Sequence, residues 1–270
     1  DVSTFMVNTL LLSSDVVMDH KEKKELVKKF ISPDLCDITE KLVLMEPYMD
    51  LYDRNNVYGP NRDFVKKELY EDEALHLEVS KLKFRFMTDA QALLHGDLHT
   101  GSIFIRQDST KIFDCEFGTY APMGYDVGNV VANLIFAYDN GLSTDDGPFC
   151  DWCLKTIEET VDLFIEKFSR KYDEAVTEPM AKVKGFKEWY FGGILKDTAG
   201  YAGTELHRRT VGMANVVDVT TIQDEKKRLL AERINILAGK EYIMNQGAFR
   251  TGADYAAAVL RAKEAAQKTL

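Results

Sequence analysis

The chain lacks long hydrophobic runs, is poor in cysteine and carries more acidic than basic residues, and each shortage excludes a class of protein. The longest apolar stretch, Val130 to Ala137, is interrupted by Asn133 and is far shorter than the ~20 residues that cross a bilayer. It predicts a buried helix and no membrane partner. With 44 acidic and 34 basic residues the net charge is −10, which argues against a nucleic-acid partner.

The cysteine content excludes a disulfide scaffold, since 270 residues contain only four cysteines. Cys150 and Cys153 form a single C-x-x-C pair. Without a second pair we interpret them as reduced thiols rather than as a redox or zinc site. Reduced thiols favour a cytoplasmic location.

Residues 95–117 carry most of the chemical information. They begin with His95-Gly96-Asp97-Leu98-His99-Thr100-Gly101-Ser102 and end with Asp114-Cys115-Glu116-Phe117. Two β-like runs, 103–105 and 111–113, flank the polar turn 107–110 and predict a hairpin that folds the second acidic group back beside the first. One carboxylate can then face a hydroxyl group while the other two hold a divalent metal, which is the acidic half of a phosphoryl-transfer site.

The rest of the chain reads as helical. Apolar residues recur at three- and four-residue steps from Leu75 to Leu93 and predict a long helix that leads directly into His95. After residue 117 almost every segment has a helical pattern, and residues 186–217 predict packed helices. The fold class is therefore mainly α with a small β hairpin.

Four segments together resemble the aminoglycoside phosphotransferase and choline kinase superfamily, which is related to protein kinases. They are the string 94–104 with its Asp-x-Glu partner, the segment from Pro122 to Gly128, the twin arginines Arg208-Arg209-Thr210-Val211-Gly212, and Phe30 to Cys36. The resemblance extends over nearly the whole chain. It implies that residues 1–270 form the C-terminal lobe of a kinase-like fold, with a catalytic loop at 95–102, a metal-binding segment at 114–117 and a substrate-binding helical region at about 186–217.

The catalytic loop supplies the candidate base. A carboxylate at Asp97 can orient an attacking hydroxyl group and accept its proton. His95 and His99 are expected to brace the loop by hydrogen bonds, and the resemblance implies that Asp126 braces it from below. Ser102 stands where many kinases have a metal-binding asparagine, so it is a candidate ligand for the ATP-bound metal or, equally, a turn cap.

The metal and substrate candidates lie further along the chain. Asp114 and Glu116 are expected to hold Mg²⁺, because that ion prefers one or two carboxylates together with phosphate oxygens and water. Residues i and i+2 of a strand share a face, so both carboxylates should reach one site. Cys115, where the superfamily usually has proline, belongs to the same ATP–Mg²⁺ segment. The resemblance places Arg208 and Arg209 at the substrate.

One part of a kinase is absent from the sequence. A nucleotide roof needs a glycine-rich hairpin, a strand lysine and an adenine-binding hinge. Neither G-x-G-x-x-G nor G-x-x-x-x-G-K-[ST] occurs. We therefore expect the N-terminal β lobe to be missing from these residues and the isolated chain to be inactive.

Three functions remain open from the sequence. The first is a sugar kinase that uses ATP and Mg²⁺ on a small-molecule substrate, with a homodimer allowed. The second is a metal-dependent hydrolase built on His95-x-Asp97-x-His99, which would need further ligands. The third is a non-catalytic remnant that lost its ATP roof and serves as a scaffold.

Overall fold

A computed structural model describes residues 1–270 as a mostly helical molecule with four short strands. The strands are β1 (Ala92–Leu93), β2 (Ile103–Arg106), β3 (Ser109–Ile112) and β4 (Tyr120–Ala121). The helices are α1 (Val2–Leu12), α2 (His20–Lys29), α3 (Pro33–Ile38), α4 (Glu46–Met49), α5 (Arg62–Val65), α6 (Glu73–Thr88), α7 (Gly124–Ser143), α8 (Gly147–Ala175), α9 (Phe186–Val211), α10 (Val217–Thr220), α11 (Glu225–Met244) and α12 (Gly252–Gln267).

Helix α7 is the centre of the bundle. Of its 20 residues 16 are buried, so it is covered on nearly every side. Helices α8, α9 and α11 pack around it, and α12 closes the bundle against α8 and α11. Helix α7 begins just after β4, and the last turn of α9 contains the twin arginines. The packing of α7 against α9 therefore fixes the position of the arginines relative to β4.

Helix α6 confirms the prediction of a long helix before the catalytic loop. The predicted end of that helix was wrong, because α6 ends earlier. Its start is capped by Asp72, whose side chain accepts the Leu75 N–H at 2.9 Å. The helix ends at Thr88 and does not run into His95. Strand β1 intervenes and pairs antiparallel with β4, which places the start of the catalytic loop beside the start of α7.

The predicted hairpin is present, with a tighter turn than expected. Strands β2 and β3 pair antiparallel from Ile103 opposite Ile112 to Arg106 opposite Ser109. Only Gln107 and Asp108 form the turn. Strand β3 ends at Ile112, before the metal segment begins.

The mainly helical fold class is confirmed. The region at 186–217 consists chiefly of one long helix, α9, rather than several. The four strands form two separate two-stranded sheets, and no larger sheet occurs in residues 1–270. Assignment of these residues to the C-terminal lobe of a larger kinase stays a prediction.

Two further findings bear on the sequence predictions. All four cysteines are free thiols, and Cys150 and Cys153 are buried in the α8 packing face, as expected for reduced core residues. None of the helices is both long enough and apolar enough to cross a bilayer.

Candidate active site

The catalytic loop is held from below by a buried carboxylate. The backbone N–H groups of His95 and Gly96 donate to Asp126 Oδ2 at 2.7 Å and Oδ1 at 3.0 Å. Burial raises the pKa of Asp126 to about 6, although the two amide donors act to lower it. Both carboxylate oxygens accept an amide N–H, so Asp126 braces the loop as expected.

The loop also contacts the metal segment directly. The ring Nε2 of His95 lies 2.8 Å from the carbonyl oxygen of Phe113, next to Asp114. Gly96 has a φ of +86°, and a Cβ added there would lie 2.1 Å from the carbonyl oxygen of Phe117. Only glycine allows this approach, so the sequence dictates that the catalytic loop and the metal segment touch.

Asp97 faces both arginines of the twin pair. Its Oδ1 lies 3.5 Å from Nη2 of Arg208 and 3.6 Å from Nη2 of Arg209. These three side chains are each about one fifth exposed, so they are shielded and still open to a small molecule. The structure thus brings the catalytic loop and the twin arginines, which are distant in sequence, into contact.

Glu205 is the residue that the sequence analysis missed. It lies on α9 one turn before the arginines and is 1% exposed. Its Oε1 accepts from Nε of Arg209 at 3.0 Å, and its Oε2 lies 3.4 Å from Nε of Arg208. The spacing i to i+3 and i+4 was a usable signal, because residues at those steps meet on one helix face.

The arginines differ in their relation to the cavity beside Asp97. This cavity has a volume of about 150 Å³, and Arg208 lines it whereas Arg209 does not. Burial lowers the pKa of Arg208, but Glu205, Tyr125 and Asp97 raise it above its ordinary value, so the guanidinium stays charged. The complete lining is Ile38, Thr39, Leu42, Gly96, Asp97, Phe117, Arg208, Met213 and Ala214.

The remaining polar groups of the loop brace one another. Nδ1 of His99 accepts the Gly101 N–H at 3.0 Å, and its Nε2 lies 3.2 Å from Oγ of Ser102. Burial lowers the pKa of His99, although the Asp97 carboxylate acts to raise it. Ser102 is 1% exposed and its hydroxyl is also 3.5 Å from the Asp97 carbonyl oxygen. This geometry favours the turn-cap alternative for Ser102, and a contact with metal stays a prediction.

The metal segment differs from expectation in its backbone. Asp114, Cys115 and Glu116 are exposed and lie beyond the end of β3. Strand alternation therefore does not place the two carboxylates on one face, and that step of the sequence argument was wrong. Asp114 instead has a left-handed φ of +67°, a strained conformation that often marks functional positions.

Few other side chains in the structure are placed to bind a metal ion together. No group of three or more His, Cys, Asp or Glu side chains converges on a metal-sized space in residues 1–270. The hydrolase interpretation needed such a group and is not supported. Two carboxylates still fit Mg²⁺, because that ion commonly takes its other ligands from phosphate oxygens and water.

A cavity larger than the one beside Asp97 lies elsewhere. It has a volume of about 760 Å³ and runs between the end of α6, at Arg85 and Asp89, and the start of α9, at Trp189 and Tyr190. None of the candidate site residues lines it. Cavity size alone therefore does not locate the chemistry in this fold.

Comparison with known proteins first gives a family match over part of the chain. Residues 34–147 match the phosphotransferase enzyme family, and this segment contains the catalytic loop, the hairpin and the metal segment. The resemblance to aminoglycoside phosphotransferase-like kinases is therefore confirmed.

Relatives named methylthioribose kinase are similar to most of the chain. The chain is 39% identical over 245 residues to the methylthioribose kinase of Geobacillus sp. (strain WCH70), an alignment covering 91% of this chain and 60% of that protein. It is 37% identical over 254 residues to the enzyme of Geobacillus kaustophilus (strain HTA426), covering 94% and 63%, and 38% identical over 242 residues to that of Bacillus cereus (strain 03BB102), covering 90% and 60%. The chain thus spans about 60% of the length of the curated relatives it matches.

Proposed function

We propose that the chain carries the catalytic and sugar-binding part of a methylthioribose kinase. The reaction is transfer of the γ-phosphoryl group of ATP to the 1-hydroxyl group of S-methyl-5-thioribose, a step of methionine salvage. Support comes from relatives named methylthioribose kinase at 37–39% identity and from the phosphotransferase match over the catalytic loop. These relatives favour a kinase over the hydrolase and scaffold alternatives.

The observation that carries the proposal is the meeting of Asp97 with the twin arginines, beside a cavity that Asp97 and Arg208 line. A sugar hydroxyl group entering between them can donate its hydrogen bond to Asp97, which then accepts the proton as the oxygen attacks phosphorus. Nη2 of Arg208 and of Arg209 lies more than 3.4 Å from Asp97, so the donors are held loosely. A planar guanidinium can turn such donors toward sugar or phosphoryl oxygens.

Asp114 and Glu116 are the proposed holders of Mg²⁺. The segment meets the catalytic loop where the Phe117 carbonyl oxygen approaches Gly96, and His95 contacts Phe113 just before the segment, which supports a shared site. When bound, the metal would neutralise charge on the transferred phosphoryl group. Cys115 and Ser102 are retained as members of the proposed ATP–Mg²⁺ region.

Other predictions accompany this proposal. We expect the adenine hinge and the phosphate-covering hairpin to come from outside residues 1–270, and we expect residues 1–270 alone to be inactive. A cytoplasmic location is supported by the free thiols Cys150 and Cys153. The homodimer stays a prediction.

The experiment is a substrate panel with the protein as its gene encodes it. ATP consumption is measured with methylthioribose, ribose, choline and an aminoglycoside, and ³¹P NMR identifies the phosphorylated atom. The proposal expects turnover with methylthioribose and a phosphate at C1. Turnover confined to another acceptor, or ATP hydrolysis without phosphoryl transfer to a sugar, would overturn it.

A further inference from the structure

The twin arginines are consecutive in sequence, yet they converge. Consecutive residues of an α-helix point about 100° apart around the axis, so Arg208 and Arg209 would ordinarily diverge. In this structure the Nη2 groups of both arginines reach the same oxygen atom of Asp97, at 3.5 and 3.6 Å. Something on the helix must draw the two side chains together.

Glu205 is placed to do this. It precedes Arg208 by three residues and Arg209 by four, so it lies on the helix surface between the two side-chain rows. Each of its carboxylate oxygens faces the Nε of one arginine, at 3.4 Å for Arg208 and 3.0 Å for Arg209. Nε of Arg209 donates to Glu205, whereas the Oε2 atom that faces Arg208 is in ion-pair range without a hydrogen bond. The Nη2 groups of both arginines face Asp97.

The charges of the cluster support the same role. Two arginines face two carboxyl groups, so the formal charges of the four side chains sum to zero. Glu205 is 1% exposed, and a buried carboxylate is tolerated only when it is paired. Without it, two adjacent guanidinium groups would face a single carboxylate, and their mutual repulsion would spread them apart.

The contacts of Arg209 with the two carboxylates differ in length. Charge-assisted hydrogen bonds of full strength are about 2.7–2.9 Å long, and the Asp97 contacts are well beyond that length. The Glu205–Arg209 contact, at 3.0 Å, is close to it. Arg209 is thus anchored at Glu205 by a hydrogen bond and loosely engaged at Asp97. Arg208 contacts the two carboxylates at similar lengths, 3.4 Å at Glu205 and 3.5 Å at Asp97.

We propose that Glu205 is a positioning residue that aims both arginines into the sugar-phosphate site. It does not itself touch substrate. The inference rests on the proposed sugar kinase function for its kinetic consequence, while its geometric part concerns only the four side chains.

The kinetic test is Glu205→Gln in the protein as its gene encodes it, after methylthioribose turnover by the wild type has been measured. We expect the KM for the sugar to rise about tenfold or more, with the KM for ATP within about twofold of wild type. Glu205→Asp keeps the charge but is one methylene shorter, so it should give an intermediate increase.

The matched control is Glu232→Gln. Glu232 is also a buried glutamate on a long helix and pairs with Arg228 at 3.0 Å, but it lies on α11 and has no contact with Asp97. We expect it to lower the melting temperature without changing the sugar KM. If Glu205→Gln behaves like this control, or keeps both KM values, the positioning role is wrong.

A second readout does not depend on the sugar. The Nε protons of Arg208 and Arg209 should exchange slowly with solvent in ¹⁵N-labelled wild type, with assignment from the Arg208→Lys and Arg209→Lys variants. Glu205→Gln should accelerate exchange of both. Unchanged exchange would overturn the proposal even if the protein phosphorylates a different sugar, whereas a wild type inactive on methylthioribose would count against the proposed function alone.

Discussion

Nη2 of Arg208 lies 3.5 Å from Oδ1 of Asp97, although 111 positions separate the two residues. Arg208 lies near the end of helix α9, which packs in the bundle core, and Asp97 lies on the loop after β1. Both residues line one cavity, which we propose as the place where a sugar hydroxyl group and a phosphoryl group meet.

Arg208→Ala should raise the sugar KM more than Arg209→Ala does, because only Arg208 lines the cavity. Loss of one charge-assisted hydrogen bond predicts an increase of about 10- to 100-fold, with little change in the KM for ATP. Calorimetry with methylthioribose measures the effect directly. Arg228→Ala is the control, since that arginine forms a similar pair with Glu232 away from the site. If both twin-arginine variants bound the sugar normally, the arginines would have a structural role and no role in sugar binding.

Asp114→Ala and Glu116→Ala should each raise the Mg²⁺ concentration needed for half-maximal activity. Mg²⁺ takes few protein ligands, so the loss of one carboxylate removes a large share of its protein contacts. Titration of activity with MgCl₂ at fixed ATP gives the comparison. Asp108→Ala removes an exposed carboxylate from the hairpin turn and should leave the titration unchanged. If all three variants gave the wild-type MgCl₂ titration, Asp114 and Glu116 would not be the Mg²⁺ ligands.

The stability of the protein should fall in acid because of His207. This residue is fully buried, with Nδ1 3.0 Å from the Tyr48 hydroxyl and Nε2 3.0 Å from the Ile236 carbonyl oxygen. Burial lowers the pKa of His207 from 6.5 to about 4, although the bond to Ile236 acts to raise it. A depressed histidine pKa means that its stabilising contribution is complete above pH 6.5 and is lost as pH falls toward 4, a change of about 3 kcal/mol.

Urea unfolding at pH 7, 6, 5 and 4.5 measures this dependence. The free energy of unfolding of the wild type should decrease more steeply over that range than that of His207→Gln, which cannot titrate. Parallel pH profiles for the two proteins would show that His207 does not control acid stability.

The sequence predicted the parts of the site that depend on local pattern. The hairpin and the loop from His95 to Ser102 follow from short motifs, and the structure contains both. The bracing by Asp126 was implied by the resemblance, and the structure contains it too. The substrate role of the twin arginines rested on resemblance alone, and the structure adds their contact with Asp97.

What the sequence could not predict depends on convergence of distant segments. Glu205 lies three and four residues before the arginines, a spacing that many acidic residues on helices share with basic ones. Its burial beside both arginines is what distinguishes it. The backbone of Asp114 was also missed, because a left-handed residue just beyond a strand breaks the alternation that the prediction assumed. The early end of α6 at Thr88 reflects pairing between β1 and β4, which joins residues far apart in the chain.

The most direct test of the account is the steady-state kinetics of Asp97→Asn with ATP and methylthioribose, in the protein as its gene encodes it. Asparagine keeps the shape and the hydrogen-bonding reach of the side chain but cannot accept the proton of the sugar hydroxyl group. We expect kcat to fall by about 100- to 10,000-fold while nucleotide affinity is nearly unchanged. A variant whose kcat stays within about tenfold of wild type would remove Asp97 from the mechanism and contradict the central claim.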